Sequence, residues 1–220
     1  MKRHSILIWS LCICCTLAGQ SSAATIGAYY YPWWGPNGGH TFSQTLRDHL
    51  PSADQLPLIG KYDNRDFWTT AAHIDQSLAA NVSMWSLSWW GPSSFEDGII
   101  RDHILTHPLA SRLKYTVHYE STGRLGPSSS PNYANLIPDF RHLADHIFSD
   151  PNYMRIDGRP VVVMYLSRVF FDDPAGWTAL SNLRSTMQTE YGFDPYIIGD
   201  HFFNTMAAGA AELDAVTAFD

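Results

Sequence analysis

Short apolar runs alternate along this chain with longer stretches whose apolar positions recur every three or four residues. The runs lie at Thr25 to Tyr30, Val82 to Trp89, Leu113 to Glu120, Pro160 to Leu166, Pro195 to Asp200 and Leu213 to Phe219. Their length and their Val, Ile, Tyr and Trp content predict strands. Between them, Phe67 to Ala80 carries Phe67, Ala71, Ile74 and Leu78 on one helical face, with Asp66 placed to cap it. Further helices are predicted from Gly98 to Thr106, Tyr133 to Phe148, Gly176 to Glu190 and Met206 to Ala211. Asp157-Gly158 marks a turn before the fourth run.

Strands alternating with helices imply an α/β fold with a parallel sheet and right-handed crossovers. An open doubly wound sheet and a TIM barrel both fit that order. No Gly-rich phosphate fingerprint follows the first strand, and Tyr31-Pro32-Trp33-Trp34 stands in its place, which favours the (β/α)8 TIM-barrel type. About six strands can be counted where that barrel has eight, so the expectation is an incomplete barrel. The chain closes on the sixth run without a covering helix. A loop of roughly 35 residues follows the first strand, long enough to predict function rather than plain connection.

The start of the chain changes the picture of its compartment. Lys2, Arg3 and His4 precede an apolar run from Ile6 to Leu17, and small residues follow at Ser21 to Ala24. This order predicts a secretory signal over residues 1–23, with residues 24–220 as a single barrel domain in a secreted or periplasmic protein. The apolar run is shorter than the roughly 20 residues of a membrane span, so no membrane association is expected once the signal is removed. All 3 cysteines lie inside the signal, leaving neither disulfide nor cysteine nucleophile afterwards. The formal charge of −7, more negative still without Lys2 and Arg3, argues against nucleic acid as a partner. No cofactor is expected.

In a barrel of this type, function gathers at the carboxyl ends of the strands. Here those ends carry Tyr30, Tyr31, Trp33 and Trp34, then Trp89 and Trp90, then His118 and Glu120, then Tyr165, then Asp200 and His201, and last Asp220. Side chains alternate along a strand, so His118 and Glu120 share a face while Tyr119 turns away. Each piece also has a purely structural reading: His118 and Glu120 as a satisfied polar pair, Trp89-Trp90 as a lid on the core, Asp97 as a helix cap, Arg124 as a solvated loop charge. Taken together, aromatic and acidic strand ends point to a saccharide, whose ring faces suit flat aromatic surfaces. His118, Glu120, Asp200 and His201 could alternatively form a mixed metal site, although their spacing matches no metal motif and no metal is expected.

Several stretches carry a resemblance. Tyr29-Tyr30-Tyr31-Pro32-Trp33-Trp34-Gly35, Gly60 to Asp66, His73-x-x-Gln76, Leu87-Ser88-Trp89-Trp90-Gly91-Pro92, Asp97, Val117-His118-Tyr119-Glu120 with Arg124, and Gly158-Arg159-Pro160 occur in this order. The chain resembles glycoside hydrolase family 99, the endo-α-mannosidase and endo-α-mannanase family. That resemblance implies a (β/α)8 barrel acting inside α-mannosyl chains with retention at the anomeric centre. It implies sugar contacts at His118 and Glu120 and an aromatic cleft at Tyr30, Trp89 and Trp90; with the other strand-end and motif residues Trp33, Asp97, Arg124, Tyr165, Asp200 and His201, these make up the expected substrate-binding set. The family's catalytic carboxylate pair sits in an Asn-Glu-Trp-His-Glu-like segment that these 220 residues do not contain, so no catalytic residue is expected in this chain. An oligosaccharide or polysaccharide is the expected partner, bound rather than cleaved; a non-catalytic glycan-binding protein and a metal-dependent hydrolase are the alternatives. The chain departs from the family pattern at Ser121, where the family tends to have Pro, at Leu166, where it tends to have Asp, and at Trp90-Gly91-Pro92, where it ends the strand Tyr-Pro-Pro-like.

Overall fold

Trp85, Leu87, Trp89, Tyr115, Val117, Tyr119, Val162, Met164 and Ile197 are all withdrawn from solvent, and they occupy alternate positions on four neighbouring strands. That alternation organises the fold seen in a computed structural model, which describes residues 25–35, 57–171, 173–200 and 212–217. The strands are β1 (Gly27–Tyr30), β2 (Met84–Trp89), β3 (Lys114–Tyr119), β4 (Arg155–Ile156), β5 (Arg159–Met164), β6 (Tyr196–Gly199) and β7 (Ala215–Val216). They pair in the order β1-β2-β3-β5-β6-β7, every pair parallel. β4 is a two-residue addition, antiparallel to β5 across the Asp157-Gly158 turn. The six parallel strands are those the apolar runs predict, and with their helices they form a curled part of a (β/α)8 barrel.

The helices are α1 (Phe67–Ala79), α2 (Phe95–Ile99), α3 (Ser121–Leu125), α4 (Leu136–His146) and α5 (Pro174–Tyr191). Asp66 caps α1, its carboxylate accepting from the Thr69 amide at 2.8 Å. Asp173 caps α5, Pro174 opens it, and Gly192 at φ +76° ends it in the left-handed region. The predicted helix from Gly98 to Thr106 starts earlier, at Phe95, and passes into a π-helical turn over Ile100–Ile104. α3 follows β3 directly, its first turn closed by the Glu120 carbonyl, which accepts from the amides of both Gly123 and Arg124. The predicted helix at Met206 to Ala211, the signal over residues 1–23, most of the long first loop, His201 and Asp220 lie outside the described residues.

The helix-facing side of the sheet forms one continuous apolar core with Ile74, Phe140, Leu143, Leu180, Leu183 and Met187 from the helices. Each large side chain buried there contributes about 1.5–3 kcal/mol. The opposite side carries Ser86, Ser88, Thr116, His118, Val161 and Val163, also buried. Burial on both faces explains why the runs read as nearly continuous apolar strands. At the amino ends of the last strands, Arg159 and Arg184 share the carboxylates of Asp194 and Asp214 at 2.7–3.0 Å. Asp214 also accepts the Ile197 amide at 2.9 Å, so this network fastens the start of β7 to α5, β5 and β6. Among the described residues no helix is long and apolar enough to cross a membrane.

Candidate functional site

The inner face of the sheet ends in a polar and aromatic mouth. Ser88 on β2 stands in register with His118 on β3, and Glu120 follows two residues after His118. Tyr29 packs edge-on against His118 with ring centres 4.8 Å apart, and Tyr165, just past β5, lies 5.4 Å from it. Tyr31 lies 6.4 Å from the His118 ring and packs edge-on against Trp33 with ring centres 4.5 Å apart. Trp33 and Trp90 meet edge to face at 6.2 Å. Both indoles donate to one hydroxyl: Trp33 Nε1 to Ser88 Oγ at 3.1 Å and Trp90 Nε1 to the same atom at 3.0 Å. Ser88 in turn donates to Glu120 Oε1 at 2.6 Å.

Two glycines set the position of Trp90. A side chain at Gly123 would come within 2.6 Å of the Trp90 ring, so the indole lies directly on the α3 backbone. Gly91 adopts φ +114°, and a Cβ there would meet the Arg124 guanidinium at 2.5 Å. Arg124 itself makes a two-pronged pair with Asp139 on α4, at 2.8 and 2.7 Å. It therefore braces the wall of the mouth, and Trp90 is left 38% exposed.

Burial is the largest influence on the titrating groups here. It pushes the Glu120 carboxyl up to about 7; the Ser88 hydrogen bond opposes this, and the nearby charges of Asp200 and Glu96 add to it. Burial lowers His118 to about 4. His118 Nε2 lies 3.9 Å from Glu120 Oε1, too far for a hydrogen bond, and with the imidazole neutral at pH 7 this contact is not an ion pair. Asp200, fully buried just past β6, raises both Tyr29 and Tyr165, for which burial is the larger cause. Among the described residues, no three His, Cys, Asp or Glu side chains stand together as metal ligands would.

The structure brings Trp33, Trp90, His118, Glu120, Tyr165 and Asp200 together, with Arg124 behind them. It places three other expected sugar contacts on the helix side of the sheet. Trp89 is fully buried on the helix side of the sheet, stacked on Tyr119 at 5.8 Å. Asp97 is also fully buried there and accepts from Trp89 Nε1 at 2.9 Å, from Arg101 Nε at 3.1 Å and from the Ser93 amide at 3.2 Å, with His142 Nε2 2.9 Å away. Tyr30 stacks on Trp85 at 4.1 Å beneath α1; its hydroxyl meets His73 Nδ1 at 2.9 Å and accepts from Asn64 Nδ2 at 3.1 Å. The cause is the two-residue period of a strand: Tyr30 and Trp89 fall on the outer pleat, so Tyr29, Tyr31, Ser88 and Trp90 take the inner one. Tyr29 and Ser88 were absent from the expected site, although the same alternation that selects His118 and Glu120 selects them.

The motif around Asn64 has a structural part. Asn64 Oδ1 accepts the Trp34 amide at 2.8 Å, and the Asn64 amide donates to the Trp34 carbonyl at 2.8 Å. This clamp holds the chain after β1 in the turn that brings Trp33 over Ser88.

Parallel strands with outer helices and a polar mouth at their carboxyl ends define a barrel protein of the TIM type, with six of the parallel strands present among the described residues. The relatives narrow this further. No protein-family model matches the chain. Mouse glycoprotein endo-alpha-1,2-mannosidase is 24% identical over 155 residues, which is 67% of this chain and 33% of the mouse protein. The rat enzyme of the same name is 24% identical over 183 residues, covering 70% of this chain and 39% of its own length. Among solved structures, the GH99 endo-alpha-mannosidase from Bacteroides thetaiotaomicron superposes with a TM-score of 0.68 at 20% identity, over 89% of this chain and 61% of that one. A glycoside hydrolase-like protein follows with a TM-score of 0.61 at 19% identity, over 89% of this chain and 58% of that one. The resemblance to the GH99 endo-α-mannosidases thus holds in both sequence and fold, and this chain spans well under half the length of the curated relatives it matches.

Proposed function

We propose that this chain is a glycoside hydrolase-like module that holds α-mannosyl oligosaccharides at the mouth around Ser88. One observation carries the reading. Two tryptophans and one carboxyl group converge on a single buried hydroxyl at the carboxyl end of the sheet, 2.6–3.1 Å from it. The indoles offer apolar faces beside a Glu120 carboxyl that is partly protonated near neutral pH and so can both donate to and accept from sugar hydroxyls. The names of the mammalian and bacterial relatives supply the sugar class.

In the same reading Glu120 contacts the sugar and is not one of the two carboxyl groups between which retaining glycosidases divide the work. The leader-like residues 1–23 make the protein secreted or periplasmic.

The test is titration of the protein with α-mannan oligosaccharides and, separately, with a β-glucan, following tryptophan fluorescence. A saturable change with the mannan and none with the glucan is expected. No response to either sugar from a protein with a cooperative melt overturns the proposal.

A further inference from the structure

Ser88 is fully buried, and its hydrogen-bonding capacity is used completely. A hydroxyl has one proton to give and two lone pairs to receive with. An indole N–H can only donate, so Trp33 and Trp90 occupy both lone pairs. The hydroxyl proton then has one direction left, toward Glu120 Oε1. We infer that Ser88 is the positioning residue of this mouth, fixing both indole planes and the Glu120 carboxyl through one atom and so coupling the aromatic walls to the state of the carboxyl group. The inference deepens the saccharide reading above and names how that site is held.

A consequence follows for the proton. Oε1 already receives the Ser88 proton and serves best as the carbonyl oxygen of the neutral acid, so the proton that Glu120 takes up goes to Oε2. The acid form therefore has a defined donor oxygen. Loss of that proton strengthens the Ser88 contact, because a hydrogen bond to a carboxylate is shorter and stronger than one to a neutral acid. Ser88 is then drawn toward Oε1, and the two indole donors follow. The groups facing Glu120 are His118 from its own strand, Glu96 from α2, Tyr165 from beyond β5 and Asp200 from beyond β6.

Indole N–H resonances report this without any sugar present. The chain has 8 Trp, and Trp33→Phe and Trp90→Phe assign the two signals in proton–nitrogen spectra. Both are expected to shift with one common midpoint at about 7 and to lose that step in Glu120→Gln. In Ser88→Ala the two indoles are expected to stop following the carboxyl, and in Ser88→Thr, which keeps the hydroxyl, to follow it again. Sugar affinity in Ser88→Ala is expected to fall about tenfold. Indole signals that titrate as in the wild type in a folded Ser88→Ala, or that show no step near neutrality in the wild type, overturn the inference. Because the titration needs no ligand, failure of the mannan proposal alone leaves the spectra unchanged. Should Ser88→Ala not fold, Ser88→Cys, a weak donor and acceptor, is expected to give the same loss.

Discussion

The indole of Trp89 donates to Asp97 across 2.9 Å in a place where neither side chain touches solvent. Asp97 joins the end of β2 to α4 by way of His142 and holds Arg101 one turn ahead on the adjoining π-helical segment. Taking the carboxylate away leaves several buried donors unmatched at once. Asp97→Ala is expected to cost about 3–5 kcal/mol of stability, measured by urea unfolding, with no sugar contact removed.

The same residue sets an acid limit. Burial works to raise the Asp97 pKa, but hydrogen bonds from Trp89 and His142 outweigh it and hold the group below its ordinary value of 3.8. A depressed carboxyl stabilises the fold above its unfolded pKa and loses that contribution as pH falls through the folded one. Unfolding midpoints recorded from pH 5 down to 2 are expected to drop more steeply in the wild type than in Asp97→Asn. Parallel curves for the two proteins contradict this.

Neighbouring tryptophans are expected to part in behaviour. Trp89→Ala empties a fully buried site and is expected to cost about 3–5 kcal/mol in stability. Trp90→Ala removes a ring that is 38% exposed. It is expected to cost less stability than Trp89→Ala while weakening mannan binding roughly tenfold. Calorimetric titration beside thermal melts separates the two.

Glu120 and His118 pull stability in opposite directions with pH. Glu120 is raised from 4.5 to about 7, so between those values the folded state holds more protons than the unfolded and stability falls as pH rises. His118 is lowered from 6.5 to about 4, so in that window the unfolded state holds more protons and stability rises with pH. From about pH 4.5 to 6.5 the two nearly cancel, and the wild-type contribution from this pair is expected to be flat. His118→Gln is expected to uncover a stability that declines across this window, and Glu120→Gln one that climbs. Unfolding free energies at half-unit steps give the slopes directly.

Arg184 is expected to matter most for the last strand. Arg184→Met breaks its pairs with Asp194 and Asp214 and leaves Asp214 with Arg159 and the Ile197 amide, at a cost of about 2–4 kcal/mol. Hydrogen exchange at the Asp214 and Thr217 amides, which donate to Ile197 and Gly199, is expected to quicken more than exchange at the β2–β3 ladder.

The sequence by itself determined the six parallel strands, most of the helices between them and the kind of residue at each strand end. Those features rest on local quantities: apolar period, caps such as Asp66 and Asp173, and the Asp157-Gly158 turn. It also determined that His118 and Glu120 share a face, since alternation is local too. Which tips meet was decided only by the tertiary structure. Tyr30 and Trp89 look equivalent to Tyr31 and Trp90 along the chain, but the pleat sends the first two under the helices and the last two into the mouth. Asp97 reads as a cap until α4 brings His142 against it. Alternation places Ser88 on the inner face, but its small hydroxyl becomes a hub only when Trp33, Trp90 and Glu120 are delivered to it.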